Sequence, residues 1–204
     1  MGWAEKKATY YKKNGNIDVK KEVEALLTGG KDVSRVLAIR NVGSVYYVAV
    51  KSYKEYVPGP DGKGTWEDIP EEKRPVWCGV ILTSTRDRIW FGYKDMDETE
   101  GPGEDNCPES ILTLLTPTDN EFAKAWRKRC WEHVEEKKRK RILNRLDIGS
   151  IITFSRHGKT IRAMKRYVNG WKYPRWCDGQ YYYPITHIPG DFTIEKAMPE
   201  GVEA

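Results

Sequence analysis

The order of apolar and polar residues in the first half of the chain predicts one helix followed by four strands. Apolar residues recur at helical spacing in DVKKEVEALLT (18–28), and Gly29-Gly30 end this pattern. Four β-branched and aromatic runs follow: VSRVLAIRN, SVYYVAVKSYKEY, VWCGVILTST and RIWFGYK. The turn-rich residues 57–75 predict a long loop before the third run. We therefore predict an α+β fold, an antiparallel four-stranded sheet with helices on one face.

A long basic helix is predicted after residue 105. Asn106-Cys107-Pro108 has the composition of a helix start, because proline at the first helical position loses no hydrogen bond. Thr118 or Asp119 can cap a second helix from about residue 120 to residue 141. Its apolar stripe stops before EEKKRKR, so we expect its last third to extend into solvent.

A small β module is predicted after Ile148. IGSIITFSR, TIRAMKRYVNG and QYYYPITHI are short strand patterns, with turns expected at Gly158 and at Asn169-Gly170. Strands this short and closely spaced favour a curled, SH3-like module. The domain prediction is an α+β domain at 1–145, ending in the basic helix, and a β module at 146–204.

Composition narrows the class of protein. Hydrophobic residues make up 39% of the chain and aromatic residues 12%, which is enough for a packed core. No apolar run approaches the roughly 18 residues that span a bilayer, so we predict a cytoplasmic protein without a membrane partner. The four cysteines and three histidines are scattered, and no motif of a nucleotide-binding loop, hydrolase or zinc protease occurs. An enzyme is therefore not indicated, and we predict no catalytic residue, metal or other cofactor.

Positive charge is concentrated in the last third of the chain. Ten basic side chains lie between residues 124 and 145, and seven more between 156 and 175, where no acidic residue occurs. Basic groups attract phosphate and aromatic faces stack unpaired bases, so this part favours contact with single-stranded or structured RNA. The alternative is a solvated helix face with an ordinary aromatic core. The predicted nucleic-acid contacts are Lys137, Lys138, Arg139, Lys140, Arg141, Arg162, Lys165, Arg166 and Trp171.

Negative charge is concentrated in FGYKDMDETEGPGEDNCPES (91–110), which holds seven carboxylates against one lysine. Three hypotheses account for it. The carboxylates can stabilise the N-terminus of the helix that starts near Cys107, or they can face outward and bind a basic groove of a partner protein. Under the third hypothesis Asp95, Asp97 and Glu98 hold Mg²⁺, although no histidine or lysine is placed beside them for acid–base chemistry. The predicted protein-binding residues are Asp95, Asp97, Glu98 and Glu100.

The segment FGYKDMDETEGPGEDNCPESILTLLTPTDNEFAKAWRKRC resembles a family of uncharacterised proteins carried on bacterial plasmids and conjugative elements. The likeness is specific over residues 88–131, and Met1-Gly2-Trp3 also fits it. This chain has Gly103 where a version of the pattern has cysteine, which argues against an essential cysteine pair there. The resemblance implies a genomic setting that includes inhibitors of host defence, and it supplies no catalytic residue.

These observations together predict a mobile-element accessory protein that inhibits a host defence nucleoprotein. The most specific form of the prediction is an anti-CRISPR protein that acts on Cas9 or on its guide RNA. Two alternatives remain open. One is a metal-dependent nuclease or modifying enzyme that acts on RNA and uses Asp95, Asp97 and Glu98 to hold Mg²⁺. The other is a conjugation-associated nucleic-acid-binding module.

Overall fold

The structure is a computed structural model that describes residues 4–30, 32–60, 63–83, 87–93 and 104–196. It has a mixed α+β fold whose sheets are antiparallel. The chain divides into two compact units, Met1–Val134 and Glu135–Ala204. This division lies inside the long basic helix, whereas the sequence predicted a boundary near its end, at residue 145. None of the helices in the described part of the chain is long and apolar enough to cross a bilayer.

The described residues of the first unit contain seven strands: β1 (Ala4–Lys7), β2 (Ser34–Val42), β3 (Val45–Ser52), β4 (Lys54–Pro58), β5 (Gly64–Asp68), β6 (Val76–Thr83) and β7 (Arg88–Tyr93). Five of them form a sheet in the order β1-β7-β6-β3-β2, and β4 pairs with β5 as a separate ribbon. The prediction of four strands is corrected to five. The added strand, β1, has the sequence AEKK, which carries no apolar alternation and gives no strand signal.

The predicted loop at 57–75 is partly ordered as a hairpin. Residues 57–58 end β4, and all of β5 lies within this stretch. Tyr56 and Trp66 are direct cross-strand partners in this ribbon, and their rings meet edge to face with centroids 5.7 Å apart. The ribbon is therefore held by an aromatic pair.

Helices pack on both faces of the first sheet, which corrects the prediction of helices on one face. Helix α1 (Val19–Leu27) packs through Val23 and Leu27 against one face. Helix α2 (Glu109–Leu112) and helix α3 (Glu121–Arg145) pack against the other, where Trp126 and Cys130 of α3 are buried. The reason lies in β3, whose sequence VYYVAV is apolar at every position. Such a run has both faces to bury.

The starts of the two later helices agree in part with the sequence. Helix α2 begins at Glu109, one residue later than predicted, and Pro108 is its N-cap rather than its first helical residue. The cap of α3 is Asn120, whose side-chain oxygen accepts from the Ala123 N–H at 2.9 Å, rather than Thr118 or Asp119.

The second unit contains the end of α3 from Glu135 and a five-stranded sheet. Its strands are β8 (Ile151–Arg156), β9 (Lys159–Arg166), β10 (Arg175–Cys177), β11 (Tyr182–Tyr183) and β12 (Thr193–Lys196), in the order β11-β10-β9-β8-β12. The turn between β8 and β9 is His157-Gly158, and both residues have positive φ, as a tight hairpin requires. The core contains Leu143 of α3 together with Ile152, Phe154 and Trp176.

Candidate nucleic-acid interface

Residues of β9 alternate between the core and the solvent. Ile161, Ala163 and Lys165 point toward the core, whereas Arg162, Met164 and Arg166 lie on the opposite, exposed face. We call this exposed face the outer face of the second sheet. A strand places successive side chains on opposite sides, so the predicted contacts in β9 separate into two groups.

Lys165 belongs to the buried group and is 8% exposed. Its ammonium group donates to the carbonyl oxygens of Leu143 at 3.3 Å and Asn144 at 2.9 Å, and also to that of Leu146. These carbonyls lie at the end of α3, where helical carbonyls lack partners inside the helix. Burial lowers the pKa of Lys165. Lys165 thus closes the C-terminus of α3, and we exclude it from the candidate RNA surface.

Arg139 is excluded for the same reason. It is 8% exposed, its Nε donates to Glu136 at 2.7 Å, and its Nη1 donates to the carbonyl oxygen of Ile185 at 2.8 Å. The hydrogen bond from Arg139 is the main cause that lowers the pKa of Glu136. The donors of this guanidinium therefore hold α3 to the segment before Ile188 inside the second unit.

The other predicted contacts on α3 remain at the surface. Lys138 pairs with Glu135 at 3.1 Å, and Lys140 pairs with Glu136 at 3.1 Å. Lys137, Arg141 and Arg145 are exposed and have no acidic partner among the described residues. A spacing of four residues places these three on one side of the helix at steps of about 6 Å. They form a basic stripe on α3.

The aromatic residues of the second unit are mostly outside its core. Only Trp176 and Tyr183, of the seven between Tyr167 and Tyr183, are buried. Tyr183 donates to Asp178 at 2.5 Å, and burial, followed by this contact, raises its pKa to about 12. The alternative of an ordinary aromatic core thus holds for two of the seven. The exposed members are Tyr167, Trp171, Tyr173, Tyr181 and Tyr182, and the most exposed are Tyr181 at 64% and Tyr167 at 63%.

Arginine and aromatic side chains meet on the outer face and in the loop between β9 and β10. Arg166 and Arg175 are direct partners in the β9–β10 ladder. Arg166 Nη2 lies 3.2 Å from Cys177 Sγ, and the Arg175 guanidinium lies 4.3 Å from the centroid of the Trp171 ring. Arg162, further along β9, pairs with Glu195 of β12. We call the set Arg162, Arg166, Tyr167, Trp171, Tyr173 and Arg175 the basic–aromatic surface.

A recess of about 210 Å³ lies on the same face beside Arg166. Its lining includes Arg162, Met164, Arg166, Cys177 and the acidic Asp178. The recess thus combines cationic, acidic and apolar side chains, and its lining does not by itself favour a ligand of one charge.

The predicted protein-binding or Mg²⁺-binding residues Asp95, Asp97, Glu98 and Glu100 lie outside the described residues. The end of the acidic segment, however, is described. Asp105 accepts from Arg129 Nε at 2.8 Å, and the Glu104 carbonyl accepts from Trp126 Nε1 at 3.2 Å. This end is therefore fixed to α3. Within the described ranges, no three His, Cys, Asp or Glu side chains are grouped as metal ligands.

Sequence reasoning did not select Arg175, Tyr167 or Tyr173 as contacts, although it counted them in the basic and aromatic run. A usable signal was present in β9, since TIRAMKR alternates with period two and places Lys165 in phase with Ile161 and Ala163. No comparable signal exists for Arg175, because β10 is three residues long.

Comparison with known proteins gives no match for this chain, either among protein-family models, among curated proteins or among solved structures.

Proposed function

We propose that the second unit binds single-stranded or structured RNA through the basic–aromatic surface. The observation that carries the proposal is the exposure of five aromatic side chains between Tyr167 and Tyr182. The overlapping stretch 156–175 is rich in basic residues. Aromatic faces held in water have no packing role in the core, and they stack unpaired bases of any sequence. Basic groups beside them supply attraction to phosphate.

The exposure of both kinds of group favours an unpaired strand over a duplex. A duplex presents its bases as edges inside grooves, so a stacking surface gains little from it. The stripe Lys137, Arg141 and Arg145 on α3 is a further cationic surface of the same unit, and it offers phosphate contacts without base stacking.

We also propose that the second sheet is an SH3-like barrel. Its first four strands pair in chain order, and the last strand, β12, returns to pair with the first, β8. A 3-10 turn at Ile185–His187 precedes β12, and the β12–β8 ladder has an irregular register between Ile194 and Lys196. Returning strands and bulges are devices by which a small sheet curls.

The biological form of the proposal is a mobile-element accessory protein in the cytoplasm that inhibits a host defence nucleoprotein. Cas9 with its guide RNA is the specific target proposed, and its support is the resemblance of residues 88–131 together with the opposite charges of the acidic segment and the second unit. Guide RNA would contact the basic–aromatic surface, and Asp95, Asp97, Glu98 and Glu100 would meet a basic groove of the protein partner.

The test begins with a single-stranded RNA, its duplex form and a guide RNA, each incubated with the purified protein with and without EDTA. We expect intact RNA on a denaturing gel and a salt-sensitive shift of the single strand and the guide RNA on a native gel. RNA shortened only in the absence of EDTA would favour a metal-dependent nuclease. A pull-down with Cas9 and a cleavage assay then test the target, and no association with undiminished cleavage would contradict Cas9 inhibition.

A further inference from the structure

Arg166 and Arg175 stand directly opposite each other in the antiparallel β9–β10 ladder. Opposite residues in such a ladder project from the same face, with side chains about 5 Å apart at their Cβ atoms. Two like charges in this position repel each other and lower the stability of the pair. No acidic side chain in the described part of the chain is ion-paired with either arginine.

Neither guanidinium group donates to a carboxylate or to a backbone carbonyl in the described part of the chain. Arg166 meets the sulfur of Cys177, which is a weak acceptor. Arg175 stacks over Trp171, and its Nε is buried without a hydrogen-bond partner. The neighbouring arginines differ, because Arg139 binds Glu136 and Arg162 binds Glu195.

We propose that Arg166 and Arg175 form a clamp for one phosphate group of the bound strand, and that Trp171 stacks on the base beside that phosphate. A guanidinium presents paired donors that match the oxygens of phosphate. Arg166 and Arg175 project from the same face of the sheet, so one anion on that face lies within reach of both side chains. An anion bound there offsets the repulsion between the two charges and accepts hydrogen bonds from their exposed Nη groups. Trp171 remains 49% exposed beside Arg175, so its indole has area for a base.

This inference rests on the proposed function, because it identifies which part of the RNA the basic–aromatic surface holds. A carboxylate of an acidic protein segment has a similar bidentate geometry and is the competing occupant. Phosphate is favoured because Trp171, an exposed stacking face, belongs to the same cluster, and a protein carboxylate brings no base to stack.

The experiment measures the affinity of a fluorescein-labelled twelve-residue oligouridylate by anisotropy over a series of salt concentrations. The variants are Arg166→Gln, Arg175→Gln, the double variant, and the double Arg→Lys variant, which keeps charge but loses the paired donors. The control is Lys12→Gln/Lys13→Gln in the first unit, which removes two positive charges, as the double Arg→Gln variant does. Thermal unfolding verifies that each variant is folded.

We expect each single Arg→Gln substitution to weaken binding about tenfold. The double variant should lose little more than one single variant, because both side chains hold the same phosphate. The slope of log affinity against log salt should fall by about 0.7, the value for one phosphate of a single strand, and the control should leave slope and affinity unchanged. The Arg→Lys variant should recover the slope but not the full affinity.

Each contrary outcome has one meaning. If the wild type binds RNA and the double variant keeps its affinity and slope, the clamp is overturned while RNA binding stands. If the wild type binds no RNA but tripolyphosphate shifts the Arg166 and Arg175 Nε–Hε NMR signals, RNA binding fails and the phosphate clamp stands. Absence of both effects overturns both proposals. If polyglutamate competes with the labelled RNA as strongly as phosphate does, and the double variant loses this competition, the site belongs to carboxylates. That result would overturn the phosphate clamp.

Discussion

The ammonium nitrogen of Lys165 lies 2.9 Å from the backbone carbonyl oxygen of Asn144. This contact joins strand β9 to the end of helix α3 inside the second unit. It also separates two roles within one basic run, since Lys165 supports the fold while its neighbour Arg166 lies on the outer face.

Replacement of Lys165 by methionine tests this separation. We expect Lys165→Met to lower the free energy of unfolding by about 1–3 kcal/mol, because the hydrogen bonds from a charged donor to the terminal carbonyls of α3 are lost. The affinity for single-stranded RNA should change less than twofold under conditions in which the variant is folded. Urea denaturation and anisotropy measure the two quantities.

Lys159→Met provides the matched control, because Lys159 lies at the exposed start of the same strand. Its effect on unfolding should stay within about 0.5 kcal/mol. A large loss of RNA affinity in Lys165→Met, with stability unchanged, would contradict the assignment of Lys165 to the fold.

Asp178 makes the free energy of unfolding of the second unit depend on pH in the acidic range. Its side chain accepts from the Tyr183 hydroxyl at 2.5 Å and from the N–H groups of Gln180 and Tyr181, each at 2.8 Å. The hydrogen bond from Tyr183 is the main cause that holds the pKa of Asp178 below its usual value. Because the pKa of Asp178 is lower in the folded state, the unfolded state binds more protons at acidic pH. The contribution of ionised Asp178 to the free energy of unfolding is therefore fully present above the usual pKa of aspartate. It is lost as the pH falls through the folded pKa.

We therefore expect wild type to be more stable than Asp178→Asn at pH 7, and the difference to shrink as the pH falls below about 4. Denaturant unfolding across this range measures it. A difference that stays constant from pH 7 to pH 3 would show that the charge of Asp178 does not contribute.

Gly79 tests the packing of α1 on the first sheet. A Cβ atom at this position would lie 2.6 Å from Leu27 Cδ1, so the buried Leu27 side chain of α1 would have to shift to make room for it. We expect Gly79→Ala to destabilise the protein by about 1–3 kcal/mol through overpacking. Gly190→Ala is the control, because no atom lies within 4 Å of its added methyl group. Equal stability of the two variants would contradict the described contact between α1 and β6.

The sequence predicted the class of the fold because its strands carry strong β-branched and aromatic runs. It could not predict β1, whose four residues include three charged ones, or β10, which is three residues long. Such strands form because neighbouring strands in the sheet supply their hydrogen-bond partners. The order of apolar and polar residues within a short segment carries no information about those neighbours.

The candidate surface was predictable only in outline. Net charge and aromatic content identified the last third of the chain, but exposure decides which side chains can bind. Arg139 and Lys165 have the same composition signal as Arg141 and Arg166, and they differ because each has a partner inside the second unit. The pairing of Arg166 with Arg175 depends on strand register, which the length of the β9–β10 connection does not specify.

The most direct test of the central claim is the affinity of single-stranded RNA for the double variant Trp171→Ala/Tyr173→Ala. The control is Tyr56→Ala/Trp66→Ala, which removes an equally exposed aromatic pair from the first unit. Each stacked base is worth about 1–3 kcal/mol, so we predict at least a fivefold loss of affinity for Trp171→Ala/Tyr173→Ala, with the salt dependence unchanged. The control should bind RNA like the wild type. Equal affinity of all three proteins, or equal loss in both variants, would contradict RNA binding by the basic–aromatic surface.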